Sequence, residues 1–175
     1  LGCLDDNGWL FLTGRAKECI NRGGELLSPA EIEATLTEHP LIDEVMAFSS
    51  PHSELGEVVA IALPLEGAAA ALTLKGLRKW ARDRLAAAEV PQVLVRAPQL
   101  PRTHGTRKLQ RVGYAELIGV PPIAGTSLRT YSFNPAQETP PKRLVAIEPE
   151  GAGARGHMHG IGSGTNMVKI SATDG

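Results

Sequence analysis

A break in composition near Val120 constrains this 175-residue chain more than any other feature. Residues 121–175 contain 14 Gly or Pro but only nine Ile, Leu, Val or Phe. Apolar content this dilute does not offset the entropy of ordering the backbone, so a Gly/Pro-rich linker or disordered tail is expected there. Its glycines (Gly151, Gly153, Gly156, Gly160, Gly162 and Gly164) resemble a phosphate loop only superficially, because no apolar strand feeds them and no helical pattern follows. His157 and His159 in the same stretch have no companion ligands and read as exposed side chains, so no metal site is expected. A folded core must come from the first 120 residues. With 4% aromatics it must be aliphatic.

Those 120 residues alternate between strand and helix signals. Asp5-Asp6-Asn7-Gly8 is turn chemistry before the apolar run Trp9-Leu10-Phe11-Leu12, which predicts a hairpin. The stretch from Thr13 to Glu25 is polar, charged and glycine-rich, and is expected to be exposed. Ser28-Pro29-Ala30-Glu31 opens a helix with a capping hydroxyl, Pro at the first turn and a glutamate able to return a bond to the cap. Ile32 and Leu36 share one face, and His39-Pro40 ends the run. Strands are expected over 45–48 and 58–63 around the loop 50–56, and again over 93–95. Thr73 caps a second helix with Leu74, Leu77, Trp80, Ala81 and Leu85 at helical spacing, and a short helix is expected over 114–118. The alternation predicts an α+β domain, a small antiparallel sheet flanked by helices.

Charge and cysteine content narrow the partners. With 18 Lys+Arg against 19 Asp+Glu, the net charge of −1 leaves no electrostatic footprint for nucleic acid or an anionic membrane surface. No apolar run approaches the ~20 residues of a membrane span, and no basic leader precedes an apolar stretch. Cys3 and Cys19 cannot build a disulfide framework, so reduced thiols in an intracellular setting, the cytoplasm first, are the expectation. Thr173-Asp174-Gly175 is not a Ser-Lys-Leu peroxisomal address, although a true terminus further on leaves that compartment open. The chain opens on Leu1 rather than Met and is expected to be part of something longer.

The motifs, taken in order, resemble one superfamily. Leu1-Gly2-Cys3-Leu4-Asp5-Asp6-Asn7-Gly8-Trp9-Leu10-Phe11-Leu12-Thr13-Gly14-Arg15-Ala16-Lys17-Glu18 looks like the domain junction of the adenylate-forming enzymes, the AMP-binding superfamily of acyl-CoA synthetases, adenylation domains and luciferases. Arg22-Gly23-Gly24-Glu25, Ser28-Pro29-Ala30-Glu31-Ile32-Glu33, His39-Pro40, Leu55-Gly56-Glu57, Val90-Pro91, Leu100-Pro101-Arg102-Thr103 and Lys108-Leu109-Gln110-Arg111 continue the likeness through about residue 118. It implies a division into residues 1–13, the end of a large N-terminal adenylate-forming domain; 14–120, the C-terminal lid domain; and 121–175, the tail. The hairpin would then belong to that missing large domain, which would hold the phosphate loop and the acyl pocket.

The same resemblance implies an acid–thiol ligase. A small carboxylic acid reacts with ATP, carried with Mg2+, to give acyl-AMP, and CoA then takes the acyl group as a thioester. The fragment alone is expected to be inactive. Lys108 stands where the family places its catalytic lysine, a cation between two approaching anions; without the likeness it reads as a solvated surface lysine. Arg15 stands where the family's arginine contacts the nucleotide, the alternative being a surface pair with Asp5 or Asp6. Lys17 falls at the hinge about which the lid turns between half-reactions. Gly23 and Gly24 would let backbone approach the pantetheine arm of CoA, or form a simple tight turn.

Several residues depart from the family pattern. Arg107 replaces the glycine of the usual Thr-Gly-Lys, and one extra residue lies near His104-Gly105. Leu26 stands where many relatives are polar or basic, and Ala88-Glu89 where an aromatic-Lys pair is frequent. Two other functions stay open here: an adenylation domain serving a carrier protein, and a non-catalytic, lid-like interaction remnant. Against the first, the tail has no helical periodicity of the kind a carrier needs.

Overall fold

The computed structural model describes residues 2–4, 6–12, 15–103, 105–132 and 145–146. Asp5, Gly14, His104, the glycine run, His157 and His159 lie outside the described residues. The expected hairpin forms as β1 (Gly2–Leu4) and β2 (Leu10–Leu12), in register from Gly2↔Leu12 to Leu4↔Leu10, and is a two-stranded sheet of its own.

The main sheet is built around β6. Strands β5 (Met46–His52) and β6 (Gly56–Pro64) form an antiparallel hairpin from Met46↔Ala62 to His52↔Gly56. Pro51 is tolerated within β5 because that strand lies at the edge of the sheet, paired with β6 on one side and met on the other by the single bridge His52↔Ile123 among the described residues. On the other edge of β6, Gly56 meets Arg22 of a small antiparallel hairpin, β3 (Ile20–Arg22) and β4 (Glu25–Leu27). Beyond it, β7 (Val93–Ala97) runs parallel to β6. Strand β8 (Arg129–Ser132) runs parallel to β7, and β9 (Val145–Ala146) antiparallel to β8.

The α+β class holds, but the sheet is mixed rather than antiparallel. The reason lies in the connections. Residues 65–92 between β6 and β7 include α2 (Leu74–Ala81), and residues 98–128 between β7 and β8 include α3 (Tyr114–Ile118). Crossovers of that length are what parallel neighbours require. The third helix, α1 (Pro29–Leu36), follows β4.

Both faces of β6 are covered, as its nearly continuous apolar run requires. Val59, Ile61 and Leu63 pack with Ile32 and Leu36 of α1 and with Leu74 and Leu77 of α2. Val58, Ala60 and Ala62 point the other way, into a second core with Phe48, Val93, Val95, Tyr114 and Ile118. The helices on the first face start as their sequences dictate. Ser28 Oγ accepts from Glu31 N–H at 3.4 Å and Thr73 Oγ1 from Gly76 N–H at 3.0 Å, caps worth about 1 kcal/mol each. Arg96, buried on β7, donates from Nη1 to Ala69 O at 2.7 Å and from Nη2 to Leu72 O, tying the strand to the segment before α2. Burial lowers the pKa of its guanidinium.

The expected start of the tail at residue 121 does not match the sheet, which continues through residue 132. Backbone hydrogen bonds, rather than a dense apolar run, hold this stretch. Ser53 N–H donates to Ile123 O at 2.9 Å, and Ile123 N–H to Pro51 O at 3.1 Å. The buried His52 closes the junction: its Nδ1 accepts from the N–H groups of Glu54 and Leu55, both at 3.1 Å, which leaves Nε2–H to donate to Gly125 O at 3.0 Å. Ile123 and Tyr131 are buried against the second core. Among the described residues no helix is long and apolar enough to cross a membrane.

Candidate active site

Lys108 sits on a short hairpin loop that closes on itself. Arg102 and Leu109 form an antiparallel bridge. Thr103 N–H donates to Lys108 O at 2.8 Å, Gln110 N–H to Pro101 O at 2.9 Å and Arg107 N–H to Thr103 O at 3.1 Å. The hydroxyls of Thr103 and Thr106 meet at 2.7 Å. Arg102 donates to Arg107 O at 2.7 Å and pairs with Glu44, anchoring the loop to the start of β5. Lys108 itself is exposed, and its side chain has no hydrogen-bond or ion-pair partner among the described residues.

Arg107 adopts φ +52°, the left-handed region. This is the position at which the family pattern has glycine, so the loop keeps the backbone shape and carries the strain of a side chain there. Arg107→Gly is therefore expected to raise domain stability by about 0.5–1 kcal/mol, the strain released less the extra freedom glycine gains when unfolded. A denaturant midpoint that falls instead of rising would contradict this.

The junction turn lies at the other end of the described domain. Ala16–Glu18 form a 3-10 turn, with Glu18 N–H donating to Arg15 O at 2.9 Å. Arg15 is exposed and pairs with Glu18 at 3.0 Å; among the described residues Glu18, rather than Asp6, is the acid it finds, and Asp5 lies outside them. The Arg15 end of this pair is largely in solvent, so the pair holds with no more than about 1 kcal/mol. Lys17 is exposed on the same turn.

Arg111 joins the two ends. Its Nη1 donates to Glu18, and its Nη2 to both carboxylate oxygens of Glu33 on α1, each at 2.9 Å. Glu33 Oε1 also accepts from Ala47 N–H at 2.8 Å. Burial pushes the Glu33 carboxyl upward, while the Ala47 N–H and the Arg111 charge pull against it. The hub borders a cleft of about 360 Å³ between the junction turn, the β5–β6 hairpin and α3, lined in part by Lys17, Phe48, Glu57, Arg111 and Glu116.

Gly23 and Gly24 are the two central residues of the β3–β4 turn, with φ +60° and +97°. Two successive positive φ values mark the type I′ hairpin turn, which glycine pairs serve best. Gly23 N–H donates to Leu55 O at 2.8 Å, and Gly24 N–H to Asn21 Oδ1 at 3.0 Å. Turn geometry thus accounts for both glycines. Both are exposed, and neither borders the cleft.

Of the residues singled out from sequence, Lys17 reaches the cleft, whereas Lys108 and Arg15 stand outside it. Sequence reasoning missed the hub: Glu18 and Arg111 are 93 residues apart, and Glu33 and Arg111 are 78 apart. All three stood in quoted motifs, but nothing local pairs them.

Lys108 on its tight loop and Arg15 and Lys17 on the 3-10 turn thus all present exposed cations. Residues 31–106 match the family model of the AMP-binding enzyme C-terminal domain. The chain carries the C-terminal domain of an adenylate-forming enzyme. It is similar to the oxalate–CoA ligase of Saccharomyces cerevisiae, 40% identical over 66% of this chain and 21% of that protein. It also resembles the acetyl-coenzyme A synthetase of Drosophila melanogaster, 36% identical over 62% of this chain and 16% of that one. Among solved structures it resembles the o-succinylbenzoate CoA synthetase from Bacillus subtilis in complex with its acyl-adenylate intermediate. That likeness has a TM-score of 0.57 at 30% identity over 63% of this chain and 22% of that one. The chain spans about a fifth of the length of these relatives.

Proposed function

We propose that the longer protein carrying this domain is an ATP-dependent acyl- or aryl-CoA ligase, and that this domain is its lid. A carboxylate oxygen attacks the α-phosphorus of ATP, the bond to the β,γ-phosphates breaks, and pyrophosphate leaves. The CoA thiol then attacks the acyl carbonyl, its proton is lost, and AMP departs as the thioester forms. The observation that carries this reading is Lys108: an exposed ammonium, with no partner among the described residues, on a loop held by its own backbone hydrogen bonds.

In the first step two anions approach, and a compact charge on a long stem can touch both. Arg15 offers its guanidinium to nucleotide oxygens once it leaves Glu18. Lys17 is the hinge, the exposed position where backbone rotation reorients the lid between steps. Gly23 and Gly24 present bare backbone, along which the pantetheine arm would lie in the second orientation. Mg2+ accompanies ATP, held by the nucleotide phosphates and a large N-terminal domain. These assignments are supported by the order of the sequence motifs around residues 15–24 and 100–111 and by the likeness to CoA ligases.

Acid-dependent exchange of labelled pyrophosphate into ATP by the longer protein, across a panel of small carboxylic acids, tests the reading. Exchange is expected with at least one acid and none by the 175-residue chain alone. Absence of exchange with every acid, or equal exchange by the isolated chain, would contradict it.

A further inference from the structure

The Arg111 hub does more than close a surface. Its three side chains are each about 85% shielded from solvent, with exposures of 13%, 15% and 15% for Arg111, Glu18 and Glu33. They come from three separate segments: the turn beside Lys17, the helix α1, and the exit of the loop that carries Lys108. Arg111 is three residues past Lys108, and Gln110 N–H closes the loop base on Pro101 O. Glu18 immediately follows Lys17. A single guanidinium therefore fixes the distance between the turn and the loop.

The planar fork is what permits this. Nη1 serves Glu18 and Nη2 both oxygens of Glu33, two donor nitrogens held apart in one plane where a lysine would offer a single nitrogen. Glu33 is itself held by Ala47 N–H at the start of β5, so the fork is referenced to the sheet.

We infer that Arg111 is a positioning residue that locks the Lys108 loop to the junction turn, so that everything after Lys17 swings as one body and delivers Lys108 in register. The inference rests on the proposed role of Lys108. It places the boundary of the moving body between Lys17 and Glu18. It also implies that loosening Arg111 acts on the reaction only through Lys108.

Two measurements test it. In the 175-residue chain, Arg111→Lys should speed amide exchange of residues 15–19 and 103–109 together, by about tenfold or more, and leave the β6 and β7 amides unchanged. Uniform acceleration of all amides, or of one segment alone, would overturn the lock.

In the longer protein, Arg111→Lys should slow adenylate formation by about 10–100-fold in kcat with little change in KM, because a misplacement of about 1 Å has that effect. Adding Arg111→Lys to Lys108→Ala should slow adenylate formation no further. Multiplicative losses in the double variant would show that Arg111 acts independently of Lys108 and would overturn the proposal. If Lys108→Ala alone leaves adenylate formation intact, the reading of Lys108 fails, and its positioning by Arg111 fails with it. Should Arg111→Lys not fold, Glu18→Ala removes one arm of the fork, keeps Glu33 paired, and is read in the same two ways.

Discussion

Phe48→Ala is expected to destabilise the domain by about 3–5 kcal/mol, the usual effect of emptying a buried aromatic site. Phe48 lies on β5 with 1% of its surface exposed, at the centre of the core between the sheet and α3. Its ring meets Tyr114 edge-on, at 5.0 Å between centroids and 83° between planes. Burial also pushes the Tyr114 phenol up to about 12. The neighbours on β6, Ala60 and Ala62, are too short to refill the space. Phe48→Leu keeps most of the volume and should lose less than half as much. Urea unfolding of the two variants checks the ranking, and a loss below about 1 kcal/mol for Phe48→Ala would show that α3 is not held by this ring. Because Phe48 also borders the cleft that Lys17 lines, the same variant should loosen that wall.

Lys108→Ala has the largest expected effect on chemistry. Adenylate formation by the longer protein should slow by about 10²–10³-fold, the range seen when a preorganised charge-stabilising group is removed from a reaction centre. Fold stability should barely change, since Lys108 is exposed and its side chain holds nothing among the described residues. That contrast separates the variant from Phe48→Ala. One acts on the barrier and leaves the fold; the other acts on the fold.

Local signals made part of this architecture legible. The caps at Ser28 and Thr73, the apolar face of α2 and the continuous run of β6 are short-range patterns, and all appear where the sequence places them. The parallel pairing of β6, β7 and β8 was not legible, because strand direction depends on where a crossover returns rather than on which residues compose the strand. Strands β3 and β4 were hidden by their brevity: each has three residues, and of their apolar side chains Ile20 and Leu27 reach the core while Leu26 is exposed. Pro121-Pro122 and the sparse apolar residues beyond them read as linker, whereas Ile123 and Tyr131 each find a buried place through backbone bonding to β5 and β7.

The candidate site divides in the same way. Lys108, Arg15 and Lys17 stand out in ordered motifs, which carry the family resemblance. The Glu18–Arg111–Glu33 hub depends on contacts across most of the domain and becomes visible only in three dimensions. Arg107 is intermediate: the departure from glycine is plain in the sequence, but its meaning comes from the left-handed backbone it adopts.

The central claim is that this domain supplies Lys108 to the first of two half-reactions. Single-turnover rates of adenylate formation, and of thioester formation from supplied acyl-adenylate, compared between the longer protein and its Lys108→Ala variant, test it most directly. The account predicts a loss of about 10²–10³-fold confined to adenylate formation, with thioester formation nearly unchanged. Equal losses in both steps, or none in the first, would contradict it.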